Sequence, residues 1–249
     1  VFVMAPRSVL VTGGASGIGL GFVRHYLAIP EVEHVIVASI NVDKEEEVQS
    51  ITDPRLHVFE LDVREDESVV ELEKKVSSLL GDSGLTLLIN NAGYGDAYDL
   101  DAAPDRAKIM NVFNINAFGP LVMSQVFLPL LRKASLSNSS LPVGVNRAAI
   151  VNISSGMASM TDNTSGGGVT YRASKTALNS ITRTIGHHSI KDEILTVAIL
   201  PGAVKTRLSQ GHGNLTVEES VALMTKVFDT WTRESNGLYY SKDGGLFLL

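Results

Sequence analysis

Tyr171 and Lys175 stand four residues apart in Tyr171-Arg172-Ala173-Ser174-Lys175, at the start of a helical pattern that runs to about residue 190. Residues at that spacing share one helix face, with Cβ atoms roughly 5–6 Å apart. A free phenol has a pKa near 10 and is a poor base at pH 7. An ammonium ion about 4 Å away, at an effective dielectric near 20, stabilises phenolate by roughly 4 kcal/mol and brings the phenol near neutrality. The spacing alone also describes an ordinary surface pair on a solvated helix. Ser155 adds a hydroxyl where an apolar run, 148–153, ends ahead of the tyrosine helix. Ser154 is its rival, and a serine there equally suits a turn cap. A serine hydroxyl and a phenol aimed at one oxygen polarise a carbonyl for hydride attack, or take the proton from an alcohol in reverse.

A second group of residues handles phosphate. Val9-Leu10-Val11-Thr12-Gly13-Gly14-Ala15-Ser16-Gly17-Ile18-Gly19 reads as a strand, a glycine turn and a helix start. Glycines place no Cβ in the way, so backbone N–H groups and the positive helix end can meet a pyrophosphate. In dinucleotide folds an acid about 20 residues further on binds the ribose 2′-hydroxyl, whereas a 2′-phosphate needs that acid gone and a base nearby. That position falls at Ser39, followed by Ile40, and carries neither marker. Another turn, Asn90-Asn91-Ala92-Gly93, closes a strand where open α/β sheets place ligands, although asparagines also simply satisfy turn backbone. Asn111, Asn114 and Asn116 lie inside an otherwise apolar helical stretch, which rarely holds asparagines idly.

These residues require a parallel sheet to carry them. Short apolar runs near 9–12, 34–38, 56–61, 85–89, 148–153 and 194–200 alternate with helical patterns at 20–29, 65–80, 105–133 and 171–190, and one amphipathic helix ends near 233. Residues 238–240 with 246–248 suggest a last strand. The expected fold is α/β, a Rossmann-type doubly wound, mainly parallel sheet of about seven strands with helices on both faces.

With 249 residues, 44% of them hydrophobic and 19% charged, the chain has an ordinary globular balance. One dinucleotide-binding and catalytic domain over 1–249 is expected. Residues 1–6 read as a leader or expression remnant plus start, with Met4 as the natural beginning; 134–147 reads as an exposed loop and 203–233 as a substrate-covering loop and helix. The net charge of −6 gives no positive field for nucleic acid, and no apolar run reaches about 18 residues, so no membrane insertion is expected. Cysteine is absent, which removes thiolate chemistry and fits a cytoplasmic protein. His187 and His188 are adjacent and so point in different directions, and no acid or histidine cluster joins them; no metal is expected.

Taken in order, Thr12-Gly13-x-x-x-Gly17-x-Gly19, Asp62-Val63, Asn90-Asn91-Ala92-Gly93, Ser155, Tyr171-x-x-x-Lys175 and Pro201-Gly202 resemble the short-chain dehydrogenase/reductase family over essentially the whole chain. Each motif is weak alone; the ordered set is specific. The loop before Ala148, the segment 155–171 and Asn236-Gly237…Asp243-Gly244 are similar to sniffer-type carbonyl reductases and C-factor-like proteins within that family. The resemblance implies an NAD(P)(H)-dependent oxidoreductase acting on a carbonyl or secondary alcohol. Tyr171 would be the acid/base, Lys175 would lower its pKa and bind the nicotinamide ribose, and Ser155 would hold the carbonyl oxygen. Asn116 would bind a water leading protons to the lysine, with Asn114 the near alternative.

The same resemblance puts Thr12, Gly13, Ser16, Gly17, Ile18, Gly19, Ser39, Ile40, Ala92, Gly93, Tyr171, Lys175, Pro201, Gly202 and Val204 along the cofactor. Asp62 and Val63 would bind adenine, Asn90 would lie against the adenosine ribose, and Thr206 would touch the nicotinamide carboxamide or pyrophosphate. The sniffer-type pattern has arginine where this chain has Ile40, and often a base where it has Ser16; the cofactor is NADP or NAD, leaning to NADP because Ser39 is no acid. Met157, Met160, Ala203 and Leu208 approach the expected pocket and suit a small lipophilic substrate. A homo-oligomer, dimer or tetramer, is implied. The competing reading is a nucleotide-binding signalling or regulatory protein of C-factor type with little turnover. An extended-type epimerase or dehydratase uses a different glycine spacing.

Overall fold

The computed structural model describes residues 5–96 and 98–247. The expected leader at 1–4, with Met4, and Leu248 of the expected last strand lie outside the described residues. Strands β1 (Ser8–Thr12), β2 (His34–Ser39), β3 (Leu56–Glu60), β4 (Leu87–Asn90), β5 (Ala149–Ile153), β6 (Leu195–Leu200) and β7 (Tyr239–Ser241) form one sheet in the order β3-β2-β1-β4-β5-β6-β7. Every neighbouring pair is parallel. Such strands are covered on both faces, which is why β1, β4, β5 and β6 are continuous buried runs rather than alternating ones. The chain winds outward from β1 to β3, then returns at β4 and winds the other way. That reversal leaves a crevice at the carboxyl ends of β1 and β4, where ligands of open sheets bind.

Alternate strand residues feed two cores. Val9, Val11, Val35 and Val37 meet helix α1 (Gly17–Leu27) and helix α7 (Val217–Phe228) through Phe22, Val23, Met224 and Phe228. Phe22, Phe228 and Trp231 stack in series, with ring centroids 5.9 and 4.8 Å apart. Leu10, Ile36, Leu88 and Ile150 face the other way, onto Val69, Leu72 and Val76 of helix α3 (Asp66–Leu80) and onto Met123, Phe127 and Leu130. Each such side chain contributes about 1.5–3 kcal/mol by leaving water.

The helix anticipated at 105–133 is longer and interrupted. It comprises α4 (Arg106–Phe113), a π-helical turn at Asn114–Phe118 and α5 (Gly119–Ser137). By length and composition Arg106–Ser137 is a helix that could cross a membrane, contrary to the expected absence of such a segment, and half of its most apolar window is buried in the fold. The exposed loop expected at 134–147 is also corrected. Ala134 and Ser135 finish α5 as buried residues, the Ser135 hydroxyl donates to the Asp192 carbonyl at 2.8 Å, and Val143 and Val145 join the core beside Trp231. Of 203–233, expected to cover substrate, α7 spends its buried face on α1, where Val217 fills the space a Cβ at Gly21 would need. The part left at the mouth of the crevice is the loop 203–216. Helix α2 (Glu46–Gln49) is a single turn, and helix α6 (Val169–Ser189) carries the tyrosine.

Candidate active site

The turns after β1 and β4 are fastened to one another. Thr12 Oγ1 accepts from the backbone N–H of Asn91 and Ala92 at 3.0 and 3.1 Å, and Asn91 Nδ2 donates to the carbonyls of Thr12 and Gly13 at 3.0 and 3.2 Å. Gly13 and Gly17 have φ of +63° and +53°, a region that costs other residues about 1–2 kcal/mol. A Cβ on Gly19 would lie 2.2 Å from the Gly13 carbonyl oxygen and 2.6 Å from Asn91 Nδ2, so this glycine lets the first turn of α1 pack on the loop. A Cβ on Gly17 would instead enter the open space between the loop and Thr206, whose methyl is 3.7 Å away. Ser16 makes no side-chain cap and the first turn of α1 has no acid. The cradle therefore keeps backbone donors and a positive helix end for an anion, and it fits a pyrophosphate. Ile18 packs on the core, leaving its backbone to the loop.

Ser39 is the last residue of β2, Ile40 is 49% exposed, and Asn41 adopts a left-handed conformation with φ of 53°. Glu60 on β3 accepts from the amides of Asn41 and Val42 at 2.8 and 3.2 Å, a carboxylate at this corner that the sequence did not signal. Arg207, from the loop after β6, reaches Glu45 at 2.7 Å, and the two border a cavity of about 510 Å³ with Asn41 and Lys44. Asp62 is paired with Arg64, which leaves its carboxylate further acceptor positions. Arg64 takes both its oxygens, at 2.6 and 2.9 Å, and holds the carboxyl below its ordinary value through those hydrogen bonds. Val63 rests on Gly119. Asn90 turns its amide into the core, donating to Asn152 Oδ1 at 2.8 Å, so a ribose contact would fall to its backbone. Asn152 in turn donates to Thr182 Oγ1 at 2.8 Å, which ties β4 and β5 to α6. Pro201 fixes α7 by accepting from Ser220, Gly202 has φ of +82°, and Val204 is buried in a bridge with Leu215.

Ser155 follows β5 in extended conformation and caps a 3-10 turn, Gly156–Ala158. Its Oγ accepts from Met157 N–H at 3.2 Å, which leaves the hydroxyl proton to donate outward. The Tyr171 phenol, in the first turn of α6, stands beside that hydroxyl. Burial pushes the phenol above its ordinary value and the neighbouring Ser155 hydroxyl opposes this. Lys175 is buried, its Nζ donating to the Ile153 carbonyl at 2.8 Å, and burial lowers its pKa to about 8. Its ammonium lies 6.0 Å from the Tyr171 ring centroid.

Asn116 sits buried in the π turn. Its Oδ1 accepts from Tyr94 N–H at 2.8 Å, and its Nδ2 donates to the Tyr94 carbonyl at 2.8 Å and to Ser174 Oγ at 3.0 Å. Asn114, in the same turn, is half-buried, and Asn111 accepts from Arg64 at 3.1 Å. Asn116 thus clamps the loop after β4 onto α6, within reach of Gly93 and Lys175: a Cβ on Gly93 would be 3.6 Å from Asn116 Oδ1 and 3.8 Å from Lys175 Nζ. Gly95 is where Leu208 and the Tyr171 ring meet, at 3.3 and 3.7 Å from an added Cβ. Leu208 is exposed there, as are Met160 and Leu100 elsewhere on the surface. His187 and His188 lie exposed on the last turn of α6, and no group of three or more metal-binding side chains occurs among the described residues.

Asn91, Glu60, Ser174 and Tyr239 were assigned no role from the sequence. Asn91 and Ser174 stand in motifs quoted for their neighbours; Glu60 and Tyr239 carry no local signal, because their partners lie 19 and 84 residues away.

Residues 7–214 match the family model described as short chain dehydrogenase. C-signal of Myxococcus xanthus is 32% identical over 158 residues, 64% of this chain and 89% of its own length. The structure of the carbonyl reductase Sniffer of D. melanogaster superposes with a TM-score of 0.94 at 30% identity, covering 98% of this chain and 100% of that one. An NADPH-bound carbonyl reductase from chicken fatty liver gives a TM-score of 0.92 at 34% identity, covering 99% and 96%.

Proposed function

The chain belongs to the short-chain dehydrogenase family, and from that premise we propose that it reduces a small lipophilic carbonyl to the alcohol with a nicotinamide cofactor, using Tyr171 as the acid. The observation that carries this reading is the meeting of three side chains at the carboxyl edge of β5: the Tyr171 phenol beside the Ser155 hydroxyl, with buried Lys175 held on the Ile153 carbonyl. A dinucleotide held by its pyrophosphate in the glycine cradle would supply the hydride for the carbonyl carbon from its reduced nicotinamide. Ser155 donates its hydroxyl proton in a hydrogen bond to the carbonyl oxygen, because Met157 N–H already occupies the serine oxygen as acceptor. Tyr171 transfers its proton to that oxygen as negative charge builds there. Lys175, cationic below about pH 8, favours the phenolate that results, and solvent returns the proton. Apolar Leu208 beside the Tyr171 ring favours ketones, aldehydes or quinones over sugar phosphates. NADPH is the proposed preferred reductant, supported by the absence of an acid at Ser39 and by the NADPH-bound relative.

The test is to supply NADPH or NADH with a panel of lipophilic carbonyls and to follow loss of the reduced nicotinamide. Turnover that disappears in Tyr171→Phe supports the reading; turnover unchanged in that variant overturns the mechanism. A second reading, a nucleotide-binding signalling or regulatory protein with little turnover, is favoured by the likeness to C-signal. Nucleotide binding without reduction of any carbonyl in the panel would decide for it. Against it stands the intact Ser155, Tyr171 and Lys175 set, which a pure binder has no use for.

A further inference from the structure

Ser155 is held from the far end of the chain. Tyr239 lies on β7, at the edge of the sheet, with its ring 5% exposed and packed edge-on against Phe247 at 5.3 Å. Its hydroxyl donates to the main-chain carbonyl of Ser155 at 2.6 Å and lies beside the side chains of Ser154 and Asn179. The same Ser155 carbonyl accepts from Ala158 N–H at 2.8 Å, so both of its lone pairs are engaged. One bond closes the local turn; the other comes from 84 residues away and fixes where that turn sits against the sheet.

We propose that Tyr239 is a positioning residue for Ser155, holding its carbonyl so that the serine hydroxyl is aimed at the substrate oxygen it shares with Tyr171. Three bonds then pin Ser155: Met157 N–H on its Oγ, and Ala158 N–H and the Tyr239 hydroxyl on its carbonyl. Without the long-range bond, the 3-10 turn Gly156–Ala158 remains closed but can rock on the end of β5. Transition-state hydrogen bonds lose strength steeply with such displacement. Tyr239 does not touch the reacting atoms in this scheme, and it acts through Ser155 alone. The assignment rests on the carbonyl-reductase reading above.

Tyr239→Phe keeps the ring, its burial and its contact with Phe247, and deletes one hydroxyl. The expected result is a fall in kcat for carbonyl reduction on the order of ten-fold, with NADPH affinity of the carbonyl-free protein within two-fold of wild type. The decisive measurement is a double-mutant cycle with Ser155→Ala. In that background, adding Tyr239→Phe leaves kcat unchanged, because the group being positioned is already gone. A proportional loss in both backgrounds would make the hydroxyl a general structural prop and overturn the proposal, as would a wild-type kcat in the single variant when Ser155→Ala is impaired. Cooperative thermal unfolding of every variant guards against misfolding, and Tyr239→Leu serves as the comparison for loss of the ring as well as the hydroxyl. Were the wild type to reduce no carbonyl, the functional reading would fail first and the assignment with it.

Discussion

Lys175 meets opposing demands: burial disfavours its charge, and the site uses that charge. One carbonyl, that of Ile153, receives its ammonium at 2.8 Å, and burial lowers its pKa from 10.5 to about 8. Between those values the unfolded chain holds a proton that the folded chain has released, so stability rises with pH across that window. The full span corresponds to about 3 kcal/mol, at roughly 1.4 kcal/mol per pH unit. Denaturant unfolding from pH 7 to 10.5 should therefore show the wild type gaining up to about that amount on Lys175→Met, which cannot titrate. A constant difference would mean the ammonium is better solvated than its surroundings indicate. Tyr171 is the second residue-scale test: Tyr171→Phe should abolish turnover and leave nucleotide affinity within a few fold, since the phenol donates the proton but is not part of the glycine cradle. A large loss of affinity, read by titration, would place the phenol in nucleotide binding instead.

At the scale of elements, the glycine loop was legible as a motif but its glycines were not separable. Their spacing suggested that all of them let phosphate approach, whereas Gly17 borders the open cradle and Gly19 is a packing contact against the Gly13 carbonyl and Asn91. Gly17→Ala should cost about 1–2 kcal/mol of stability for its left-handed φ and cut nucleotide affinity at least ten-fold, by filling the cradle. Gly19→Ala should lower stability more, roughly 1–3 kcal/mol, because a backbone oxygen and Asn91 must move. Paired unfolding and titration measurements decide this, and a Gly19→Ala protein of wild-type stability would show that the packing assignment is wrong. The π turn at Asn114–Phe118 was invisible for a related reason. Its sequence suits an ordinary helix, and what selects the extra residue is Asn116 bonding to Tyr94 and Ser174, 22 and 58 residues away. Composition also misled at 138–147, where serines and asparagines signal a loop but Val143 and Val145 fill the core.

For the whole molecule, alternation of apolar runs and helical patterns was enough to specify a parallel doubly wound sheet, because parallel strands need crossover helices and buried faces. It could not show which distant segments converge on the cofactor-specificity corner. There β2 ends at Ser39, β3 contributes Glu60 to the amides of Asn41 and Val42, and the loop after β6 brings Arg207 to Glu45 across 162 residues. A guanidinium therefore stands at this corner already, paired with a carboxylate, while Ser39 and Ile40 offer a 2′-phosphate one hydroxyl and no charge. Preference for NADPH over NADH should be shallow in the wild type. Ser39→Asp should reverse it, by restoring a partner for the ribose 2′-hydroxyl and repelling the phosphate. Ile40→Arg should deepen it through a charge-assisted pair worth about 1.5–3 kcal/mol before screening. Glu45, Glu47 and Glu60 compete for the new guanidinium, so a gain of about ten-fold in the NADPH to NADH ratio of kcat/KM, the low end of that range, is expected, shrinking as salt is raised. A wild type strongly selective for NADH, or an Ile40→Arg ratio that does not change, would mean that the 2′-position lies away from the end of β2.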